Sequence, residues 1–355
     1  MVSYKPYCYS AVAALFIKRF FYILILFTVL TTVTYAQQRP QYTQYVFNNY
    51  LLNPAVTGIE NYTDIKAGHR SQWTGLNGAP VTSYITINAP IGQNFIESNA
   101  NTFAAGGGTN PNSRLYTQNY MASEPHHGIG AMIVTDKAGP ITQTNVAATY
   151  AYHLGVTDKL NLSVGVSAGF MRTALNISEI TLDDPTDRAI LNGNNSQFKP
   201  DLGAGVWLYS SNFYLGISGQ QLLPTQLYFT TQAAAVSSNK TVPHYFVTGG
   251  AKFFVSDDLT LMPSFLIKQI KPVPITYDVN LKLAFQDKFW IGGAYRHKDS
   301  FGALAGFYLN SFLNVGYSYD ITTSALNTVS RGTHEFVIGI LLNNRYGLSS
   351  PRFTY

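Results

Sequence analysis

From about residue 63 onward the chain alternates apolar and polar positions with a period of two. In Leu160–Phe170 the even positions are Leu160, Leu162, Val164, Val166, Ala168 and Phe170, and the odd ones are Asn161, Ser163, Gly165, Ser167 and Gly169. Successive side chains of a strand point to opposite faces, so this segment has one apolar face and one polar or small face. Ile275–Phe285 repeats the pattern, with Ile275, Tyr277, Val279, Leu281, Leu283 and Phe285 set against Thr276, Asp278, Asn280, Lys282 and Ala284. Val146–Leu154 and Leu313–Asp320 do the same, and no window carries a convincing 3.6-residue period.

Candidate strands fall at 64–73, 80–90, 128–135, 142–154, 159–172, 201–209, 212–219, 244–255, 258–269, 274–286, 288–297, 300–309, 311–320 and 333–342. About fourteen alternating segments, an even number, predict an all-β transmembrane antiparallel β-barrel. Short turns at Gly155–Lys159, Ser210–Ser211, Ser256–Asp258, Gln286–Lys288 and Asn310–Ser311 follow even strands, and longer connections such as 173–200, 220–243 and 321–332 follow odd ones. That places the start of the barrel in the periplasm, because outer-membrane barrels keep short turns there and long loops outside. Residues 91–127 break the rule. They read as a long, flexible periplasmic-side insertion with Gly106-Gly107-Gly108, with a partner-facing loop as the alternative.

Composition sharpens the choice between a soluble sandwich and a membrane barrel. Only 12% of the 355 residues are charged, 46% are hydrophobic and 14% aromatic, against about 25% charged in an ordinary soluble domain. Mean hydropathy is only +0.01, which excludes a bundle of apolar helical spans. A surface depleted of charge without helices points to strands whose outer face meets outer-membrane lipid.

Residues 1–36 read as a signal peptide. Lys5, Lys18 and Arg19 precede the apolar run Phe20–Leu30, which ends at Thr34-Tyr35-Ala36. Cleavage there removes Cys8, the single cysteine, and three of the 23 basic residues but no acid. The basic excess of the whole chain therefore carries no nucleic-acid signal. The remaining divisions are an N-terminal segment 37–62, periplasmic or folded inward as a plug, the barrel 63–343 and a tail 344–355.

Parity assigns a lumen. If the apolar face is outside, then Asp64, Lys66, Arg70, Lys252, Lys268, Asp278, Lys282 and Arg296 point inward. A basic lumen could handle an anionic segment or solute. Equally, the charges could form an internal ion-pair network in which Asp64 and Asp278 neutralise some of the bases. No catalytic or cofactor motif accompanies them. The histidines lack metal-ligand spacing, the pair His126-His127 reads as solvated or interfacial at a loop end, and Asp183-Asp184-Pro185-Thr186-Asp187 lacks the glycine and terminal Glu of a calcium loop. No enzyme, cofactor or metal site is expected.

Four motifs early in the chain carry a resemblance. These are Gln41-Tyr42-Thr43-Gln44-Tyr45-Val46-Phe47-Asn48, Asn53-Pro54-Ala55-Val56-Thr57-Gly58, Gly68-His69-Arg70-Ser71-Gln72-Trp73 and Gly78-Ala79-Pro80. Together they resemble the PorP/SprF family of outer-membrane proteins of the type IX secretion and gliding system. Val56-Thr57 and His69 depart from that family's usual Tyr-Ala and Tyr, and the 91–127 insertion is less usual. The resemblance implies a non-catalytic barrel whose partners are type IX components and secreted surface adhesins. A FadL-like channel for hydrophobic small molecules is the alternative, since that fold also has fourteen strands and an Asn-Pro-Ala motif in its plug. Physically, Asn53 before Pro54 favours a turn, Arg70 could pin a plug through a carboxylate or backbone carbonyls, and Trp73 suits an interfacial aromatic belt.

Overall fold

The computed structural model describes residues 41–92, 117, 120–180, 196–224 and 241–344, apart from 272 and 287. Residues 1–36, read above as a signal peptide, the glycine triplet of the insertion, Asp183–Asp187 and the tail after Asn344 lie outside these residues. So does most of the 91–127 insertion.

The strands form one closed antiparallel sheet. They are β1 (Thr63–Ser71), β2 (Val81–Ile91), β3 (His126–Ala138), β4 (Ile141–Thr157), β5 (Leu160–Leu175), β6 (Ser196–Tyr209), β7 (Phe213–Gln220), β8 (His244–Ala251), β9 (Phe253–Phe254), β10 (Leu259–Ile270), β11 (Thr276–Phe285), β12 (Phe289–Arg296), β13 (Ser300–Tyr308), β14 (Leu313–Thr322) and β15 (Thr333–Leu342). Apart from β8 and β9, each pairs with its sequence neighbour, and β1 pairs with β15 from Thr63↔Leu342 to Ser71↔His334, which closes the ring. β8 and β9 both pair with β10 and are two halves of one barrel strand interrupted at Lys252. The barrel therefore has fourteen strands. Closure leaves no unpaired edge, so every ladder hydrogen bond is made within the sheet, a requirement for crossing hydrocarbon with strands.

Alternation produces the two faces. On β5, Val164, Val166 and Phe170 are exposed while Asn161 and Ser163 are fully buried. On β11, Tyr277, Val279 and Leu281 are exposed while Asp278, Asn280 and Lys282 are buried. This is inverted relative to a soluble protein: the large apolar side chains are outside and the polar ones inside. Outward-facing aromatics mark both rims, with Phe213, Phe253, Phe289, Phe307 and Phe312 at one end and Phe198, Tyr245, Phe301 and Phe336 at the other. On β13 the two rings lie six residues apart (Phe301 and Phe307), about 20 Å along a strand.

The ends differ in their connections. One, called here the turn end, carries the tight turns after β4, β6, β9, β11 and β13. The opposite loop end carries the 72–80, 221–243 and 323–332 connections, but it also has two tight ones: Gly139-Pro140 and His297–Asp299. The long-versus-short alternation expected from the sequence is therefore incomplete: β3 and β4 extend further into their connection than the periodicity indicated, and the His297–Asp299 connection is short as the expected strand bounds already implied. β3 also begins at His126, two residues earlier than expected, and β1 stops at Ser71. Trp73 lies beyond the strand in the left-handed region (φ 47), with its N–H donating to Thr333 Oγ1 at 3.1 Å.

Candidate functional site: the N-terminal segment inside the barrel

Residues 41–62 precede the first strand and contain almost no exposed side chain. Thr43–Tyr62 are buried throughout. The segment is built of three single-turn 3-10 helices, Gln44–Val46, Asn49–Leu51 and Pro54–Val56. Asn53 starts the third: Pro54 behind it blocks helix at Asn53 itself, while the Asn53 Oδ1 accepts the Ala55 N–H at 2.9 Å. Its Nδ2 donates outward to the wall carbonyls of Val206 (3.0 Å) and Ile217 (3.3 Å). One side chain thus both shapes the turn and attaches it.

From Leu51 to Gly58 the segment follows the inner wall strand by strand. Gln220 and Ser218 on β7 donate to the carbonyls of Leu51 (2.9 Å) and Leu52 (2.7 Å). Ser163 on β5 donates to Ala55 O at 2.7 Å. His153 on β4 donates through Nε2 to Thr57 O at 2.8 Å, and His126 on β3 lies between two carbonyls, with Nε2 3.2 Å from Gly58 O and Nδ1 2.8 Å from Glu124 O. Asn88 on β2 accepts the Gly58 N–H at 2.9 Å. These bonds satisfy backbone groups of an irregular segment that would otherwise be orphaned away from water. The approach is close enough to require glycine on the wall: a Cβ at Gly165 would sit 2.5 Å from Ala55 Cα. Gly58 itself takes φ +70, where a side chain is strained.

The segment's beginning is held by charge. Arg70 is 1% exposed. Its Nη2 donates to Asp320 and its Nη1 to Glu335, both at 2.9 Å, and Nη1 also reaches Thr43 Oγ1 at 2.8 Å. Glu335 in turn accepts the backbone N–H groups of Thr43 (2.8 Å) and Gln44 (3.3 Å), and the Thr43 hydroxyl donates to Asp320. Arg296 joins the cluster, bonding Asp278 and Asp299 at 3.2 Å each and reaching Tyr42 O at 3.4 Å. Four carboxylates (Asp278, Asp299, Asp320, Glu335) thus surround Arg70 and Arg296 at the loop end. Between the two attachments, Asn48 donates to Thr86 and Tyr50 exchanges a hydrogen bond with Thr149. Tyr45 accepts from Asn280, and Phe47 packs beside Trp290. Burial raises the pKa of both the Tyr45 and the Tyr50 phenol.

All eight charges assigned inward by parity are buried: Asp64, Lys66, Arg70, Lys252, Lys268, Asp278, Lys282 and Arg296. Asp64 pairs with Lys66 and Asp278 with Arg296. Lys66 lies over the Phe47 ring and Lys282 over Trp290. Of the family-motif positions, Gln44, Tyr45, Phe47, Asn48, Asn53, Pro54, Ala55 and Gly58 belong to the buried segment, and Gln41 and Tyr42 are partly buried at its start. Gln72 is buried at the loop end, where its N–H bonds Pro80 O at 2.9 Å, and the Gly139 N–H donates to Gly78 O at 2.9 Å. The first contact closes the β1–β2 connection and the second joins it to the β3–β4 turn.

One reading is corrected. His126-His127 does not stay together as a solvated or interfacial pair, since only His127 is exposed. Both belong to β3, and alternation splits them. His127 faces outward beside Tyr150, while His126 is buried and stacked on His153 with ring centroids 4.4 Å apart. Periodicity also overlooked the acids that complete the Arg70 cluster. Asp320 shares the polar face of Asn314, Gly316 and Ser318, and Glu335 sits opposite in parity to Phe336 and Ile338, so both signals were present. Among the described residues no group of three His, Cys, Asp or Glu is placed to hold a metal ion.

No curated protein matches the chain. Among solved structures, the Ralstonia pickettii toluene transporter TbuX is similar at 12% identity and TM-score 0.46, covering 82% of this chain and 92% of its own. A Pseudomonas aeruginosa FadL homologue is similar at 10% identity and TM-score 0.46, covering 87% and 96%. Acinetobacter baumannii Omp33 is similar at 7% identity and TM-score 0.44, covering 81% and 100%. At such identities these likenesses carry nothing about ligands. The model of one protein family, type IX secretion system membrane protein PorP/SprF, matches residues 34–340. With that match spanning the interior segment and all strands up to residue 340 in β15, the chain belongs to the PorP/SprF family of type IX secretion system membrane proteins and is a fourteen-stranded outer-membrane barrel.

Proposed function

We propose that this protein is a closed, non-catalytic barrel of the type IX machinery, in which residues 41–62 act as a plug. In this role it helps particular adhesin-like substrates to be secreted or retained at the cell surface. Its apolar outer rows meet lipid, and its tight-turn end faces the periplasm. The observation that carries this reading is the filled interior: the segment is bonded to β2, β3, β4, β5, β7, β11 and β15 at once. A lumen occupied by its own chain suits a docking and anchoring part better than a conduit. The cluster of Arg70, Arg296, Asp320 and Glu335 serves to hold the start of that segment in place.

Deleting the gene and profiling the surface proteome tests the proposal. Loss of a defined set of surface proteins is the expected result. An unchanged surface, accompanied by a defect in taking up hydrophobic small molecules, would overturn it in favour of a FadL-like channel.

A further inference from the structure

The outward face of the sheet is not uniformly apolar. On β7–β15 no outward strand position carries Ser, Thr, Lys or Arg. On β1–β5 such residues cluster at the loop end, and the pairing registers set them side by side. His69 lies opposite Ser83, Ser83 opposite Thr135, Thr135 opposite Thr144 and Thr144 opposite Arg172. One unbroken polar row thus crosses five adjacent strands, about 19 Å at the usual strand spacing. His69 Nδ1 and Ser83 Oγ share a hydrogen bond at 2.9 Å, and the Thr135 and Thr144 hydroxyls lie 3.4 Å apart. The Arg172 guanidinium is exposed and stands 5.9 Å from the Phe198 ring centroid, with no carboxylate partner among the described residues. Lys137, further toward the loops on β3, is paired with Glu179 at 2.8 Å. Arg172 is therefore the cation that this row leaves unneutralised.

Two residues closer to the middle of the barrel runs an apolar row: Ile85 opposite Ile133, Ile133 opposite Val146, and Val146 opposite Phe170. Ile85, Ile133 and Phe170 are 58%, 49% and 46% exposed. Strand length explains the step between the rows. β4 has 17 residues and β5 has 16, whereas about 9–11 tilted residues cross the hydrocarbon. On β4 the outward apolar run from Val146 to Leu154 already covers that depth. Thr144 and Arg172 thus stand beyond the hydrocarbon, at the level of lipid headgroups.

A surface with apolar side chains below, hydroxyls and an imidazole above, and a guanidinium at one end matches one kind of molecule. Guanidinium binds phosphate through paired hydrogen bonds, and Ser and Thr hydroxyls both donate and accept, as sugar hydroxyls require. We propose that the loop-end wall of β1–β5 seats a phosphorylated glycolipid of the outer leaflet. Arg172 takes its phosphate, the row from His69 to Thr144 takes its sugars, and the row from Ile85 to Phe170 takes its acyl chains. This rests on the loop end facing outward, as proposed above.

The test uses the purified full chain in phosphatidylcholine vesicles doped with diphosphoryl lipid A, with its dephosphorylated form, or with phosphatidylglycerol at matched charge. After gentle detergent extraction, native mass spectrometry counts the lipids retained on each chain. Diphosphoryl lipid A should be retained in preference to both others. Arg172→Gln should weaken that retention roughly tenfold or more. Lys271→Gln, which removes an exposed cation at the loop end of β10 on another wall, should not. Heat-modifiable migration on gels checks that both variants are folded. Equal retention of phosphatidylglycerol, or equal losses in the two variants, would mean general charge attraction and overturn the proposal. So would a photocrosslinker at Ser83 that captures protein and no glycolipid in native outer membranes. The vesicle measurement involves no secretion, so its failure leaves the proposed secretion role standing, and an unchanged surface proteome leaves lipid binding standing.

Discussion

Replacing Arg70 by Met tests how the inner segment is held. The guanidinium is buried and bonds Asp320 and Glu335 at 2.9 Å each, and these carboxylates are themselves 3% and 0% exposed at the side chain. Met fills similar volume but leaves two buried carboxylates facing each other with one cation fewer. Removing one partner of a buried pair costs about 3–5 kcal/mol. At about 1.4 kcal/mol per tenfold, that corresponds to roughly two to three and a half orders of magnitude in the population released locally. The barrel itself should persist, because its ladders do not involve this side chain. The effect should also be confined. Thr43 and Gln44 are held by Glu335, whereas Ala55–Gly58 are held by Ser163, His153 and His126 on another part of the wall.

Amide hydrogen exchange resolves the two halves. Peptides covering 41–47 should exchange faster by about that factor, and those covering 54–60 should not. Larger solutes should enter liposomes carrying the variant. The triple variant Arg70→Met/Asp320→Asn/Glu335→Gln should recover most of the protection, since it removes the stranded charge while the glutamine carbonyl still accepts from Thr43. Unchanged exchange over 41–47 in the single variant would refute the claim that Arg70 fixes this end.

Three further substitutions address other parts of the argument. Gly165→Val drives a side chain into Ala55, whose Cα lies 2.5 Å from the Cβ position. Overpacking of this kind costs about 1–3 kcal/mol, so exchange should rise at 54–60 and leave 41–47 protected, the converse of the Arg70 result. Asn53→Ala removes a turn cap worth about 0.5–2 kcal/mol and two bonds to the wall, and should lower the urea midpoint of the inner segment measured by protease protection. Val166→Arg places a charge on an outward position that is 52% exposed. If that face meets lipid near the midplane, folding into vesicles should be weakened by about 2–4 kcal/mol, read as a shift in the denaturant midpoint.

Much of the candidate site could be read in advance at the level of faces, and little at the level of partners. Parity alone put Arg70 and Asp278 on the inward side. It did not say that Arg70 meets Asp320 and Glu335, which follow it by 250 and 265 residues. His126 shows the limit most clearly. As one of two adjacent histidines near a loop it looked solvated, and only its place in β3, across from His153, buries it.

The sequence by itself determined the strands, their alternation and hence which side chains face inward. It also set the low charge that requires a non-aqueous exterior, and the early motifs that mark the family. These are local or compositional properties, because the strand period of two is written into consecutive residues and holds whatever the strand pairs with. Only the tertiary structure decided that β1 meets β15, that Lys252 interrupts one barrel strand, and that residues 41–62 lie within the ring. The physical reason is closure. Once the sheet is closed, strand stagger fixes which inward side chains share a level, and the inner segment must find partners for its backbone among those levels. No periodicity along the chain encodes that match.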